Sequence, residues 1–311
     1  MVTLGKNLAS GCQEMATSWG VPPAHAGRRP AHLHRDTGVP LTDMGTASSA
    51  APRDLRDTGS PIRAEGSWLF DEEAGDTAAD SSGNGRHLTG VDPAAWTAGG
   101  RFGGAIRIGG TAAGPVTAHP PLRTDAGFSV SAWLRLDGAA LGGRLRMPEG
   151  EHAWTAVSQN GPSHSPFYLG VRRFPEAVPG GGTGSVLRWC FTSAPVDGSV
   201  TGLLEWQHAR SATPLTEADL DRWVLLVAAF DVAGRRTRLY LPERREQGEA
   251  QLPAEWTYWQ AGGGLQIGHG RYLDHPADLW PGSVGPVHAF SGVLTAQDAA
   301  QLAATGAPAR R

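Results

Sequence analysis

The sequence is poor in cysteine, lysine and long apolar runs, and each absence excludes a class of protein. Cys12 and Cys190 are the only cysteines in 311 residues, too few for a disulfide framework. Lys6 is the only lysine, and with a net charge of −3 the composition does not favour binding to nucleic acid or to an anionic membrane surface. No apolar run reaches the ~18 residues of a membrane-spanning helix, so we expect no membrane span.

The cysteines and a histidine pair near the N-terminus form no recognisable metal motif. Cys190 lies in the strand-like stretch SVLRWCFTS, which predicts a buried free thiol, although the sequence leaves a bridge to Cys12 open. His32 and His34 are only two positions apart in AHLHRD, a spacing that does not match the usual zinc patterns. The first residues show no basic segment followed by a continuous apolar segment, so they do not predict a secretion signal.

Residues 1–63 show neither a helical nor a strand period. They are rich in Pro, Gly, Ser, Ala and charges of both signs, as in GVPPAHAGRRPAHLHRDTGVP. Such a composition buries too little apolar surface to offset the entropy that is lost on folding. We therefore predict a disordered N-terminal arm or linker over residues 1–63 and a folded domain over residues 64–306.

Short strand-like segments separated by Gly, Pro and Asn-Gly or Asp-Gly pairs make up most of the remaining sequence. The alternating segment FSVSAWLRL predicts one strand face with Phe128, Val130, Ala132, Leu134 and Leu136 and an opposite face with Ser129, Ser131, Trp133 and Arg135. The segment WVLLVAAF is apolar on both faces, which predicts a central strand that is covered from both sides.

One helix is predicted near the end of the chain, in LTAQDAAQLAA. Thr295 is a natural N-cap residue, and Asp298 three positions later completes a capping box. Many short strands with almost no helix predict an all-β fold, a sandwich of two antiparallel sheets with one short C-terminal helix. The tryptophans expected in its core are Trp68, Trp133, Trp189 and Trp223.

Several motifs in the right order resemble the LamG-like jelly-roll domains, relatives of laminin G and the pentraxins with the concanavalin A-like fold. They are GSWLFDEEAGDTAADSSGNGRHLTG, WTAGGRFGGAIRIGG, FSVSAWLRL, RWVLLVAAFD with TRLYL, and GSVGPVHAFSGVLTAQDAAQL. The resemblance covers Glu65 to Ala304. It implies a jelly-roll sandwich, binding of a glycan or a protein surface, and an extracellular or cell-surface location.

The loop AADSSGNGRHLTG has two interpretations. The resemblance implies a calcium site with Asp80 as the carboxylate ligand and Asn84 as a second ligand, because calcium prefers carboxylate and carbonyl oxygens. However, Gly285 and Pro286 stand where the family commonly has a second carboxylate. The alternative is that Asp80 forms an Asx-turn that leads into an Asn-Gly hairpin.

Aromatic residues in loop-like sequence are the candidate ligand-binding residues, because carbohydrate-binding sandwiches present flat rings to the faces of sugars. The sequences AEWTYWQAGGG and YLDHPADLWPG supply Trp256, Tyr258, Trp259, Tyr272 and Trp280, with Asp274 and Asp278 close by. These rings are either exposed at the rim of the sandwich, where they would contact a ligand, or packed in its core.

Nothing in the sequence supports catalysis. Glycosidases need paired carboxylates, and no E-x-D-x-x-E strand pattern occurs. The acidic stretches DEE, PEGEH and ERREQGE are predicted to be solvated loops, and no G-x-S-x-G or phosphate-binding motif is present. The favoured hypothesis is a non-catalytic module that binds a carbohydrate or a protein surface. The alternatives are a structural or protein-interaction domain without a small ligand, and a divergent glycoside hydrolase.

Overall fold

The alternating segments form two facing antiparallel sheets in a computed structural model of the chain, which describes residues 62–100, 102–141, 153–177, 183–198 and 205–306. The first sheet has the spatial order β14 (Glu246–Gln251), β13 (Arg236–Leu241), β12 (Val224–Asp231), β7 (Phe128–Leu136), β18 (Gly282–Ser291), β5 (Gly103–Arg107) and β4 (Trp96–Gly100), and β1 (Arg63–Trp68) also pairs with β18. The predicted two-sheet, all-β jelly-roll sandwich is confirmed.

The second sheet also has eight strands. Its spatial order is β11 (Gln207–Arg210), β10 (Thr183–Ser193), β9 (Phe167–Ala177), β8 (Ala153–Gln159), β15 (Leu265–Ile267), β6 (Val116–Thr117), β3 (Leu88–Thr89) and β2 (Thr77–Ala78). A separate hairpin is formed by β16 (Gly270–Tyr272) and β17 (His275–Ala277). The α-helices of the described residues are the single turn α1 (Gly138–Leu141) and the C-terminal α2 (Ala296–Thr305).

The strand β7 shows how the alternating pattern builds the core. Phe128, Val130 and Ala132 point into the large cluster between the sheets, as predicted. Trp133, on the opposite face, belongs to a second cluster outside the first sheet. Burying an aliphatic or aromatic side chain contributes roughly 1.5–3 kcal/mol, so this one strand is a major source of stability.

The strand β12 lies between two apolar layers, which explains why its sequence is apolar on both faces. Leu226 and Ala228 face the inter-sheet core, and Leu225 and Val227 face the second cluster. The helix α2 covers that second cluster with its apolar side. The predicted central strand is therefore confirmed.

The predicted capping box starts α2. The Thr295 hydroxyl accepts a hydrogen bond from the N–H of Asp298, and the Asp298 carboxylate accepts one from the N–H of Thr295 at 2.9 Å. The helix ends at Gly306, whose φ of +70° is the left-handed conformation that glycine adopts at little cost. Among the described residues, no helix is long and apolar enough to span a bilayer.

One acidic stretch predicted as a loop is partly a strand. Most of ERREQGE forms the edge strand β14, in which Glu249 pairs with Arg238 on β13, with a side-chain distance of 3.0 Å. The prediction was wrong because cross-strand hydrogen bonds and charge pairs stabilise a strand without apolar residues. The stretch PEGEH lies outside the described residues.

The other predictions about single residues have mixed outcomes. Trp68, Trp133 and Trp189 are buried as predicted, and Trp223 is half-buried against the second cluster. Cys190 is 1% exposed, and burial raises the pKa of its thiol to about 11.

The predicted N-terminal arm lies almost wholly outside the described residues. Arg63, the last residue of the predicted arm, pairs with Ser291 in β18. Cys12, His32 and His34 also lie outside the described residues.

Candidate ligand-binding surface

Two of the predicted ligand-binding tryptophans are part of the core. Trp280 is 0% exposed; its ring lies 6.4 Å from that of Trp189, and its indole N–H donates to the carbonyl of Ser283 at 3.3 Å. Trp256 is 5% exposed and belongs to the inter-sheet cluster. Of the two interpretations, the structure shows core packing for both rings, because the loops that carry them fold back onto the sandwich.

Tyr258 and Trp259 are half-buried and are used largely for packing. The Tyr258 ring lies 6.0 Å from that of Phe230 in the core, and the Trp259 indole N–H donates to the carbonyl of Ala194 at 3.0 Å. The two residues and Trp256 line a cavity of about 10 Å³. A cavity of this size holds about one water molecule, so a sugar does not fit.

Tyr272 is the predicted ligand-binding residue that the structure does expose. It is 49% exposed, as is Leu273 beside it, and these are the only large hydrophobic side chains in the described part of the chain that are this open. Leu273 and Asp274 form the two-residue turn between β16 and β17, with φ of +48° and +67°. Tyr272 therefore stands at the tip of a tight hairpin.

The β16–β17 hairpin lies against the outer face of the second sheet. A Cβ atom on Gly270 would lie 2.4 Å from the Tyr168 ring, so only glycine permits this close approach. At the far end of the hairpin, the N–H of Thr155 on β8 donates to the carbonyl of Asp278 at 2.6 Å. These contacts fix Tyr272 above the sheet.

Under the hairpin tip lies an aromatic cluster that the sequence did not reveal. The His164 ring lies edge-on to the Tyr272 ring at 4.9 Å, and the Trp206 ring is 6.1 Å from Tyr272. Trp206 also lies 5.3 Å from Tyr168, which points outward from β9. We call Tyr168, Trp206, His164 and Tyr272 the aromatic cluster.

A charged pair borders the aromatic cluster. The guanidinium of Arg172 lies 5.2 Å from the centre of the Tyr168 ring and 5.8 Å from that of Trp206, within the range of cation–π attraction. The same guanidinium forms an ion pair with Asp278 at 3.1 Å. Arg172 is therefore held in place by two rings and one carboxylate.

A second arginine stands further across the same face. Arg210 on β11 lies 4.6 Å from the centre of the Phe174 ring. Between the arginines, the His208 ring shares a 2.9 Å hydrogen bond with the Thr192 hydroxyl. Burial, with the positive charges of Arg172 and Arg210, lowers the pKa of His208 to about 3. His208 is thus neutral at physiological pH.

The outer face of the second sheet is concave. Pairing places Tyr168, Thr192 and His208 in one row across the strands. Phe174 is six residues beyond Tyr168 on β9, a distance of ~20 Å along an extended strand. Its ring nevertheless lies 5.4 Å from that of His208. Only an inward-curving sheet brings these side chains together.

Carboxylates surround His164 without pairing with its ring. Asp197 accepts the backbone N–H groups of Ser163 and His164 at 2.8 and 2.7 Å, and Asp274 accepts the Ser163 hydroxyl at 2.8 Å. Burial lowers the pKa of His164, against the opposing effect of Asp197 and Asp274. Its Nδ1 atom is buried and has no hydrogen-bond partner among the described residues.

The loop that resembles a calcium site is stabilised by its own backbone. The Asp80 carboxylate accepts N–H groups from Ser67, Ser82 and Arg86, each at 2.9 Å. Burial opposes ionisation of Asp80, but hydrogen bonds from Ser82, Arg86 and Ser67 outweigh it and lower the pKa. The bond from Ser82 is the Asx-turn that the sequence offered as the alternative to calcium.

Asn84, the second predicted calcium ligand, also bonds to the protein. Its side-chain amide donates to the carbonyl of Ala64 at 2.9 Å. Among the described residues, no group of three or more acidic, His or Cys side chains is arranged to hold a metal ion. One carboxylate that already accepts three N–H groups does not fit a divalent cation.

Comparison with known proteins identifies no family for this chain. No family model matches the sequence, and no curated protein matches it. Domain 4 of AbnA, an extracellular GH43 arabinanase from Geobacillus stearothermophilus whose structure contains arabinotriose, has a TM-score of 0.49 and 16% identity, over 78% of this chain and all of that domain.

Two further solved structures are similar over a comparable part of this chain. Trypanosoma rangeli sialidase in complex with sialic acid has a TM-score of 0.43 and 13% identity, over 76% of this chain and 32% of the sialidase. The receptor-binding domain of botulinum neurotoxin type G has a TM-score of 0.41 and 10% identity, over 77% of this chain and 50% of that one. With TM-scores below 0.5, these likenesses assign no ligand and no activity.

Proposed function

We propose that the chain is a non-catalytic binding module and that it binds a saccharide on the concave outer face of the second sheet. The observation that carries this proposal is the half-exposed Tyr272 above Trp206, next to the charged pair of Arg172 and Asp278. Sugars combine C–H faces that stack on rings with hydroxyl groups that need hydrogen-bond partners. A concave surface with aromatic residues and a few fixed polar groups matches both needs.

The conformation of Leu273 supports a functional hairpin tip. A leucine with φ of +48° is uncommon and costs of order 1 kcal/mol, because its Cβ crowds the backbone. Asn or Gly would form the same turn with less strain. The side chain is half-exposed, so packing does not offset the cost. Contact with a ligand would explain why a leucine stands there.

The exposed apolar surface suits a saccharide better than a protein partner. A stable protein interface buries ≈ 800 Å² on each side and usually has several exposed apolar anchors. Here, the only large apolar side chains that are broadly exposed in the described part of the chain are Tyr272 and Leu273. A protein-interaction domain without a small ligand is therefore the alternative proposal.

The test is a glycan array followed by titration of the best ligand in a calorimeter. We expect Trp206→Ala and Tyr272→Ala each to weaken binding about fivefold or more, because stacking of a sugar on one aromatic ring is worth at least ~1 kcal/mol. Trp223→Ala is the matched control, since Trp223 is a half-buried tryptophan on the first sheet.

Three results would contradict the proposal. Absence of any glycan signal with the folded protein would favour the protein-interaction alternative. Equal loss of binding in Trp223→Ala and Trp206→Ala would show that the effect comes from general destabilisation. Release of reducing sugar from the bound ligand would contradict the non-catalytic part of the proposal and favour the divergent hydrolase.

A further inference from the structure

We propose that the saccharide is acidic and that its anionic group, a carboxylate or a sulfate, binds between Arg172 and Arg210 on the concave face. This inference rests on the proposed function and names the chemical class of its ligand. It depends on the two arginines, whereas the proposed function depends on the aromatic cluster.

Aromatic rings hold both guanidinium groups in place before any ligand arrives. Arg172 packs on Tyr168 and Trp206, and Arg210 packs on Phe174 at 4.6 Å. A free arginine side chain loses rotamer entropy when it is fixed. Because stacking has already restricted these two side chains, a ligand that binds them avoids much of that cost.

The two arginines lie on the same face of the second sheet, on either side of His208. Arg210 pairs with Cys190 on β10, and Cys190 pairs with Gly170 on β9, two residues before Arg172. Their Cα atoms are thus two strands apart (~10 Å) and offset by two residues (~7 Å) on one face. Both positive charges act on His208 and on Cys190, which lie between them.

The charges of this region do not balance. Asp278 neutralises Arg172, and His208 is neutral because its pKa is about 3. Within the described part of the chain, Arg210 has a ring partner but no carboxylate partner at ion-pair distance. An anionic group would give Arg210 a charge-assisted hydrogen bond, which is about twice as strong as a neutral one. A neutral sugar would leave the charge unpaired.

The same geometry argues against a cationic ligand. The guanidinium of Arg172 already covers the faces of Tyr168 and Trp206 that a quaternary ammonium group would need. A second cation would therefore meet like charge at both ends of the surface.

The test uses three probes with the full chain: an oligogalacturonate, its methyl ester and a sulfated neutral oligosaccharide. We expect one or both anionic probes to bind at least tenfold more tightly than the ester, with weaker binding as salt rises from 50 to 300 mM. Arg210→Met keeps an apolar stem over Phe174 but removes the charge. It should lower affinity for the anionic probe about tenfold to hundredfold and change affinity for the ester less than threefold.

Arg107→Met is the matched control, because Arg107 is an exposed arginine of the first sheet and should not affect binding. One outcome would overturn the proposal that the ligand is acidic and leave the proposed function standing. In that outcome all three saccharides bind with equal affinity, and binding is lost in Trp206→Ala but kept in Arg210→Met. Absence of saccharide binding in every arm would overturn both. Polyglutamate that binds as tightly as oligogalacturonate, and depends on Arg210, would replace the acidic saccharide with an acidic peptide.

Discussion

Trp280 and Tyr272 come from the same loop-like stretch of sequence, and only their environments separate them. Trp280 is enclosed between the sheets, whereas Tyr272 is half-exposed at a hairpin tip. Sequence pattern places both outside long strands, but it does not show whether a loop folds back over the core. The sequence therefore identifies aromatic residues as candidates for ligand binding, and the fold determines which of them are exposed to a ligand.

The contrast gives a prediction for single substitutions. Trp280→Ala should lower the free energy of unfolding by ~3–5 kcal/mol, the usual cost of removing a large buried ring. Tyr272→Ala should lower it by less than ~1 kcal/mol, because the ring is half-exposed. Urea unfolding monitored by far-UV circular dichroism measures both. Similar losses for the two variants would show that Tyr272 is a core residue.

Asp80 supports a second prediction. Asp80→Ala should lower the free energy of unfolding by ~2–4 kcal/mol, because it leaves the N–H groups of Ser67, Ser82 and Arg86 without their acceptor. Asp80→Asn keeps one acceptor oxygen and should lower the free energy of unfolding by less than Asp80→Ala does. Both are compared with the native chain by urea unfolding at pH 7.

Calcium provides the accompanying control at Asp80. If calcium bound there, as the family resemblance implies, millimolar calcium would raise the melting temperature of the native chain and not that of Asp80→Ala. The hydrogen bonds predict no rise in either protein, so a rise lost in the variant would contradict the turn assignment.

At the residue scale, the sequence contains a weak signal for two residues of the proposed surface that were not among the predicted candidates. In FYLGVRR, Tyr168 and Arg172 fall on the strand face opposite Leu169 and Val171. That alternation predicts that both point outward. It does not predict that Trp206, from a different strand region, lies between them, because sheet order and curvature depend on contacts across the whole domain.

At the scale of elements, the strands of the core were predictable and the β16–β17 hairpin was not. β7 follows from its apolar alternation, β12 from its continuous apolar run, and α2 from the residues at its N-terminus. The hairpin sequence GRYLDHPA has neither apolar alternation nor an Asn-Gly turn. Its place on the sheet depends on close contacts such as that of Gly270 with Tyr168.

The turn of this hairpin gives a third prediction. Leu273→Asn should stabilise the fold by a few tenths to ~1 kcal/mol, because Asn tolerates φ of +48° better than Leu does. The variant should also bind the saccharide more weakly, since the apolar contact is lost. Leu273→Ala is the control, which removes the contact without easing the turn. Equal stability of the Asn and Ala variants would contradict the strain at this position.

At the scale of the whole molecule, the two-sheet architecture follows from the sequence because many independent signals agree. Short alternating segments, turn residues and an isolated helix each favour the same sandwich. The local sequence does not specify the strand order, the bend of β9 and β10, or the position of the β16–β17 hairpin on the sheet. The proposed binding surface depends on these long-range features, so the local sequence does not specify it.

Acid should destabilise the whole fold through His288, which is buried between β1 and β7 and hydrogen-bonded to the Ser67 hydroxyl at 2.9 Å. Burial lowers its pKa from 6.5 to about 4. As pH falls, the unfolded chain takes up a proton near pH 6.5, whereas the folded chain resists until about pH 4. The contribution of neutral His288 to the free energy of unfolding is therefore full above pH 6.5 and decreases as the pH falls toward 4. The decrease is ~3 kcal/mol, because each pKa unit corresponds to about 1.36 kcal/mol.

The measurement compares unfolding free energies of the native chain and His288→Asn between pH 7 and pH 4. The variant should lose less stability over this range, because the shared titration of carboxylates cancels in the comparison. Identical pH profiles would show that His288 does not contribute.

The proposed binding surface joins β9, the start of β11 and the β16–β17 hairpin, which are more than 100 residues apart at the extremes. No short fragment of the chain contains it, so binding should require the folded domain. By mass action, a ligand at one hundred times its dissociation constant would add ~2.7 kcal/mol to global stability. Core amides in β7 and β12 should then exchange with deuterium more slowly when the ligand is bound, although these strands belong to the other sheet.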